Sequence, residues 1–190
     1  MLVLCTGADY GEPWKSSDPE KTKSERASDF KNLRQKIAEN NSVLVIGGGL
    51  TGLETAGYLA EKGKIKVGIC QRNSKLLPSV NKAHEKLKNH LENLKINLHL
   101  ETNFEGKSTL DALGYKMSID CRGYRFTTPA RYLSGDLAQC LHAETGQILI
   151  NSYGQLTTNL EPAKTWSNIF AFGDVCHFRE NEVKSIVSMY

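Results

Sequence analysis

Hydrophobic positions along this chain fall into two rhythms, short unbroken runs and runs spaced at three and four. Leu2 to Cys5 is an apolar run ended by Thr6-Gly7, which predicts a buried strand entering a polar loop with Pro13 and Pro19. From Ser24 to Asn40, Ala27, Phe30, Leu33 and Ile37 recur at helical spacing, and Asn40-Asn41 supplies a stop. Val43 to Ile46 is a continuous aliphatic run, suited to a strand covered on both faces in a parallel sheet. Gly47-Gly48-Gly49 breaks it. Leu50, Leu53, Ala56 and Leu59 then mark a helix ending at Gly63, and Ile65 to Cys70 reads as the next strand. The stretch Val43–Cys70 is therefore a βαβ unit.

A second helix is expected after Pro78, with Val80, Ala83, Leu87, Leu91 and Leu94 on one face and Lys and Glu opposite. Strands are expected at Ile96–Leu100, at Tyr115–Cys121 (ended by Arg122-Gly123) and at Ile169–Phe172 (ended by Gly173-Asp174). Ile148–Ile150 and Leu156–Thr158 read as a hairpin around Ser152-Tyr153-Gly154. Between Glu180 and Tyr190, Val183, Ile186, Val187 and Tyr190 return to helical spacing. The alternation of strands and helices predicts an α/β fold.

Composition narrows the classes. The 190 residues are 39% hydrophobic, which is enough for a core and far from a low-complexity chain. A net charge of +3 is small and scattered, so nucleic acid is not implied as a partner. The densest charged stretch, Lys21 to Lys36, alternates in sign and reads as a solvated helix face. No apolar run approaches the roughly 20 residues that span a bilayer, and Met1–Cys5 is too short for a signal-peptide core. Cys5, Cys70, Cys121, Cys140 and Cys176 are odd in number and lack a CxxC pair, against both a disulfide framework and structural zinc. The histidines show no metal-ligand spacing. Reduced cysteines suit an intracellular setting, cytoplasmic or mitochondrial.

Gly47-Gly48-Gly49-Leu50-Thr51-Gly52 is a GxGxxG between a strand and a helix, the context that makes this pattern a dinucleotide fingerprint. Gly47 permits the tight turn, Gly49 leaves room for the pyrophosphate, and Gly52 lets helix and strand pack closely. A glycine-rich turn that serves packing alone is the bland alternative. About 20 residues past the last glycine, where an acidic residue would grip an adenosine ribose, the chain has Gln71 and Arg72 instead. Arg72 is either a partner for the 2′-phosphate of NADP(H) or a solvated surface charge. Asp174, after a buried strand and a glycine, is either a helix N-cap or a site carboxylate.

The order of a strand ending Cys5-Thr6-Gly7, a GGGxxGxE unit, a strand ending Cys121-Arg122-Gly123, and then Ile169-Phe170-Ala171-Phe172-Gly173-Asp174 resembles the pyridine nucleotide-disulfide oxidoreductase superfamily. Leu76-Leu77-Pro78-Ser79-Val80 draws it nearest to the apoptosis-inducing-factor-like and ferroptosis-suppressor NAD(P)H:quinone oxidoreductases. The resemblance implies a Rossmann-like NAD(P)H-binding domain of three layers (24–123), flanked by remnants of an FAD-binding Rossmann-like domain (1–23 and 124–190). It implies a flavoprotein that passes hydride from NAD(P)H to FAD and electrons on to a quinone-like acceptor. Gly47, Gly49, Gly52 and Glu54 match its nicotinamide-nucleotide positions. Thr6 and Gly7 match a turn beside FAD, Gly173 and Asp174 match the motif whose Asp meets the FAD ribityl chain, and Lys184 corresponds to a flavin-side lysine at a spacing about two residues off, with Val183 in place of the usual proline.

Two departures shape the expectation. The family's own first GxGxxG, for the ADP half of FAD, has no counterpart in residues 1–190, and Arg122 stands where the second C-T-G motif has Thr. Leu2–Cys5 and Ile169–Phe172 are then expected as two parallel strands without neighbours, in a truncated gene model or one piece of a split assembly that needs its upstream half as a partner. A non-enzymatic nucleotide-binding or structural subunit derived from the same family is the rival reading. No side chain is required as an acid, base or nucleophile, because the cofactors carry the chemistry.

Overall fold

A computed structural model describes residues 1–16, 18–62, 64–77, 83–123, 126 and 129–179. In chain order the elements are β1 (Leu2–Leu4), α1 (Lys23–Asn40), β2 (Ser42–Ile46), α2 (Leu50–Lys62), β3 (Lys66–Cys70), α3 (His84–Asn93), β4 (Asn97–His99), α4 (Lys107–Leu113) and β5 (Met117–Asp120). They continue with α5 (Pro129–Tyr132), β6 (Ile148–Ile150), β7 (Gln155–Thr157), β8 (Thr165–Ala171) and β9 (Cys176–Phe178). Short 3₁₀ turns occupy Gly135–Cys140 and Gly173–Val175. The expected stop at Gly63, the start of the helix after Pro78, and the tail with Lys184 lie outside the described residues.

The chain forms two compact units, Gly11–Gly123 and the combination of Met1–Tyr10 with Tyr124–Tyr190. Residues before α1 join the first unit through specific bonds. Arg26 donates to Glu12 Oε2 at 3.1 Å and to Pro13 O at 2.7 Å. Trp14 Nε1 donates to Asp120 O at 2.9 Å.

In Gly11–Gly123 the sheet order is β4-β3-β2-β5, parallel throughout. Successive side chains of a strand point to opposite faces. Val43 and Val45 accordingly share a buried cluster with Ala56 of α2, Leu91 of α3 and Ile37 of α1. Leu44 belongs to another, with Phe104 and with Leu110 and Leu113 of α4. This gives three layers, helix, sheet, helix. The β2 run buried along its whole length is what a central parallel strand requires. Gly68 has a similar constraint, since a Cβ there would collide with the Tyr115 hydroxyl that crosses β3.

Helix α1 begins with a capping box, Thr22 and Glu25 bonding each other's backbone N–H, and ends at Asn41 in the left-handed region (φ 52). Its apolar stripe is less covered than the periodicity predicts. Ile37 packs on the core, whereas Phe30 is 47% exposed and no residue of α1 is fully buried.

The other unit carries a five-stranded sheet, β1-β8-β7-β6-β9. Here two expectations are corrected. β1 and β8 do pair in parallel, Leu2 opposite Ile169 and Leu4 opposite Ala171. They are not without neighbours, because β7 pairs antiparallel with the other edge of β8. Nor is Leu2–Cys5 a buried strand. Among the described residues β1 has β8 on one side and is an edge strand, and Leu2 and Val3 remain 52% and 45% exposed. The hairpin forms as β6 and β7, with Gly154 (φ 75) in its turn. Ile148, Ile150, Leu156, Ala171 and Val175 make the core.

Candidate functional site

The glycine loop is built from the carboxyl end of β2. Gly47 takes φ 106, a region that favours glycine, and its N–H donates to Cys70 O at 2.8 Å. A Cβ at Gly47 would lie 3.0 Å from Cys121 O and 3.2 Å from Arg122 N. At Gly52, in the first turn of α2, a Cβ would drive into the carbonyl oxygen of Gly47. At Gly49 a Cβ would meet nothing within 4 Å. Two of the three fingerprint glycines are thus required by the protein's own backbone, and the third faces open space. Gly49 O accepts the first helical bond, from Leu53 N at 3.0 Å, so Gly49 is the helix cap and has no side chain to offer. The first-turn N–H groups of an α-helix have no intrahelical partner, so this end of α2 has the character of an anion-binding terminus.

Gln71 fastens the loop from the β3 side. Gly48 N donates to Gln71 Oε1 at 3.1 Å, and Gln71 Nε2 donates to Lys75 O at 3.3 Å. Leu77 N donates to Gly48 O at 2.8 Å, which folds Leu76 beneath the loop. Sequence counting reaches Gln71 as the place of a missing acid. Its role as a strut is legible only from a polar residue buried at the end of an apolar strand. Arg72, next along, is exposed, as is Glu54 on α2.

On the β5 side Arg122 forms a bidentate pair with Asp120. Nε donates to Oδ1 and Oδ2 at 3.0 and 3.1 Å and Nη2 to Oδ2 at 2.6 Å, while Arg122 N bonds Oδ1 at 2.9 Å. These bonds hold the Asp120 carboxyl below its ordinary range. Burial pushes the Cys70 thiol up, with Arg122 pulling the other way. Burial also pushes Cys121 up to about 11. Neither thiol ionises near neutral pH, so neither is a ready nucleophile.

In the second unit, β1 and β8 are parallel neighbours, so Thr6-Gly7 and Gly173-Asp174 leave the same sheet edge. Gly7 and Gly173 take φ 64 and 81. Thr6 Oγ1 and the Tyr132 hydroxyl are hydrogen-bonded at 3.0 Å. Asp174 does not act as an N-cap, since Phe172 holds that position and no side chain caps the turn. Its carboxylate instead accepts from the Tyr10 hydroxyl at 3.0 Å and stays exposed, with acceptor capacity for a further hydroxyl. Tyr10 has no signal in the sequence beyond its proximity to Thr6-Gly7.

Among the described residues, no group of three or more His, Cys, Asp or Glu could hold a metal ion. No helix there is long and apolar enough to cross a membrane.

A parallel sheet with a glycine turn at its central carboxyl edge, opening a helix, is the arrangement of the Rossmann-like α/β class. The chain belongs to the pyridine nucleotide-disulphide oxidoreductase family, whose model matches residues 1–189. Members of this family are oxidoreductases that bind FAD and NAD(P)H. The chain is 26% identical over 204 residues to apoptosis-inducing factor homolog B of Dictyostelium discoideum, covering 94% of this chain and 52% of that protein. To homolog A it is 23% identical over 202 residues, covering 94% and 50%. The chain thus spans about half the length of these relatives. Its fold is shared with NADH:rubredoxin oxidoreductase from Clostridium acetobutylicum, at TM-score 0.56 and 21% identity, over 93% of this chain and 43% of that one.

Proposed function

We propose that residues 11–123 bind a nicotinamide dinucleotide in a flavin-dependent NAD(P)H oxidoreductase. The observation that carries this reading is the asymmetry of the glycines. Gly47 and Gly52 answer to the backbone, while Gly49 leaves a gap at a helix N-terminus that packing alone does not need. NAD(P)H and FAD, when bound, supply the hydride transfer and the onward delivery of electrons to a quinone-like acceptor.

The chain's own residues bind and orient. First-turn N–H groups of α2 hold the pyrophosphate, with Gly49 setting the distance of approach. Gln71 keeps the loop rigid by holding Gly48 N. Glu54, exposed further along α2, would meet the nicotinamide ribose, as the family resemblance implies, and Arg72 would take the 2′-phosphate of NADPH where that coenzyme is used. Asp174, steadied by Tyr10, accepts a hydroxyl of the flavin ribityl chain, and Thr6, Gly7 and Gly173 shape the adjoining turns. Calorimetric titration of NADH and NADPH into residues 1–190 tests the reading. Saturable one-to-one binding of either coenzyme is expected, and no binding of both would refute it.

A further inference from the structure

The glycine loop has two flanks at the carboxyl edge of its sheet. Gln71 and Arg72 leave β3 on one side, and Asp120 and Arg122 leave β5 on the other. Strand order reverses between β2 and β5, the position where ligands of open parallel sheets seat. The adenosine end of a dinucleotide belongs over β3, where the ribose-reading position falls. Its other half must then extend toward β5, and there it meets Arg122.

Arg122 is an exposed cation, its side chain 58% accessible, yet it is held fast. Its backbone touches the glycine turn, 3.2 Å from where a Gly47 Cβ would stand. The Asp120 carboxylate takes Nε and Nη2 of the guanidinium, and the guanidinium carbon lies 6.0 Å from the Phe104 ring centre. A planar fork pinned along one edge retains the Nη1 edge as a pre-aimed donor for a phosphate oxygen.

We propose that Arg122, clamped by Asp120, is a positioning cation that takes a phosphate oxygen of the dinucleotide on the nicotinamide side of the pyrophosphate. This rests on reading the glycine loop as a dinucleotide site. Arg122 then complements the helix N-terminus, which neutralises the pyrophosphate from the opposite side.

The experiment titrates ADP-ribose, NADH and AMP into residues 1–190 and into the Arg122→Thr, Arg122→Lys and Gly49→Val variants, at two salt concentrations. AMP lacks the second phosphate, so it reports loop binding without the proposed contact. Arg122→Thr should weaken ADP-ribose and NADH about ten- to hundredfold, as for a lost charge-assisted hydrogen bond, and leave AMP unchanged. Its salt dependence should be shallower. Arg122→Lys should restore part of the loss, and the unfolding midpoints of parent and both Arg122 variants should coincide. Gly49→Val should weaken all three ligands. Equal ADP-ribose affinity in parent and Arg122→Thr overturns the proposal while leaving the dinucleotide site standing, as does an equal loss for AMP and ADP-ribose. A parent that binds none of the three overturns the site itself, and the proposal with it.

Discussion

Gly49 and Gly52 are three residues apart in one motif, and the structure separates their roles sharply enough to test with two substitutions. In Gly52→Ala the new methyl meets the carbonyl oxygen of Gly47, which belongs to a turn already held at φ 106 and bonded to Cys70 O. Backbone cannot swing aside as a side chain can. Overpacking of this kind costs about 1–3 kcal/mol, and the gain of up to about 1 kcal/mol from replacing a helical glycine offsets only part of it. Against a unit of this size, each net kcal/mol lost lowers the thermal midpoint by about 4–8 °C. In Gly49→Val the side chain enters open space and meets no clash, so the stability cost should be limited to about 1 kcal/mol for a branched residue at the helix cap. The isopropyl group fills the approach to the first turn of α2. Losing two charge-assisted bonds to the pyrophosphate, at about 1.5–3 kcal/mol each, weakens coenzyme binding more than about a hundredfold. Thermal unfolding and calorimetric titration of NADH read the two effects independently. The reasoning fails if Gly52→Ala melts with the parent, or if Gly49→Val binds NADH as the parent does.

Arg72→Ala should weaken NADPH by about 1.5–3 kcal/mol and leave NADH unchanged if Arg72 meets the 2′-phosphate, and equal effects on both coenzymes would make it a bystander. The exposed Cys5 should alkylate in the native protein at pH 8, whereas Cys121 and Cys140, pushed up to about 11, and Cys176, pushed up to about 12, should react only after denaturation. For the same thiols, whose ordinary value is 9.0, the raised native values mean stability is complete below pH 9 and is lost as pH rises from there toward 11–12, which alkaline unfolding curves can follow. Residues 1–190 by themselves should not retain FAD through purification. Asp174 and the neighbouring turns contribute a few hydrogen bonds of about 0.5–3 kcal/mol each, too little for micromolar binding after association costs, and a stoichiometric flavin spectrum would contradict this.

The βαβ unit is legible in the sequence because its signals agree. Four aliphatic residues in a row, a glycine break and a helical repeat leave few other ways to bury Val43, Val45, Ala56 and Ile69 together. α4 escapes because Lys107–Leu113 has only Leu110 and Leu113 to mark a face, and its boundaries are set by Gly106 and Gly114, which look like ordinary loop glycines. β9 escapes because His177 interrupts three residues whose strand character comes from pairing with distant β6. Phe30 misleads in the other direction, since helical spacing marks a face without saying how much is covered. Asp174 stands out by its position, but the partner that decides its role, Tyr10, is 164 residues away in the chain.

Both units obey one rule, which explains why their marked residues look alike in sequence. A parallel strand ends with its carbonyls and the succeeding turn at one edge, and a glycine there lets the chain leave at an angle other residues resist. Gly47 after β2, Gly7 after β1 and Gly173 after β8 all take positive φ at such an edge. The segment beyond each glycine differs, and the difference sets the chemistry. After Gly47 a thirteen-residue helix begins, whose dipole and free N–H groups favour an anion such as a pyrophosphate. Gly173 opens only a three-residue 3₁₀ turn, with little dipole, and a carboxylate held by Tyr10 stands directly after the glycine. That arrangement repels phosphate and accepts a hydroxyl. Exchanging the two proposed ligands between these edges would place a phosphate against Asp174 and a neutral polyol at the helix N-terminus. On the proposed assignment of a pyrophosphate to the first edge and a flavin hydroxyl to the second, an acidic residue suits the position after Gly173 and not the position after Gly47.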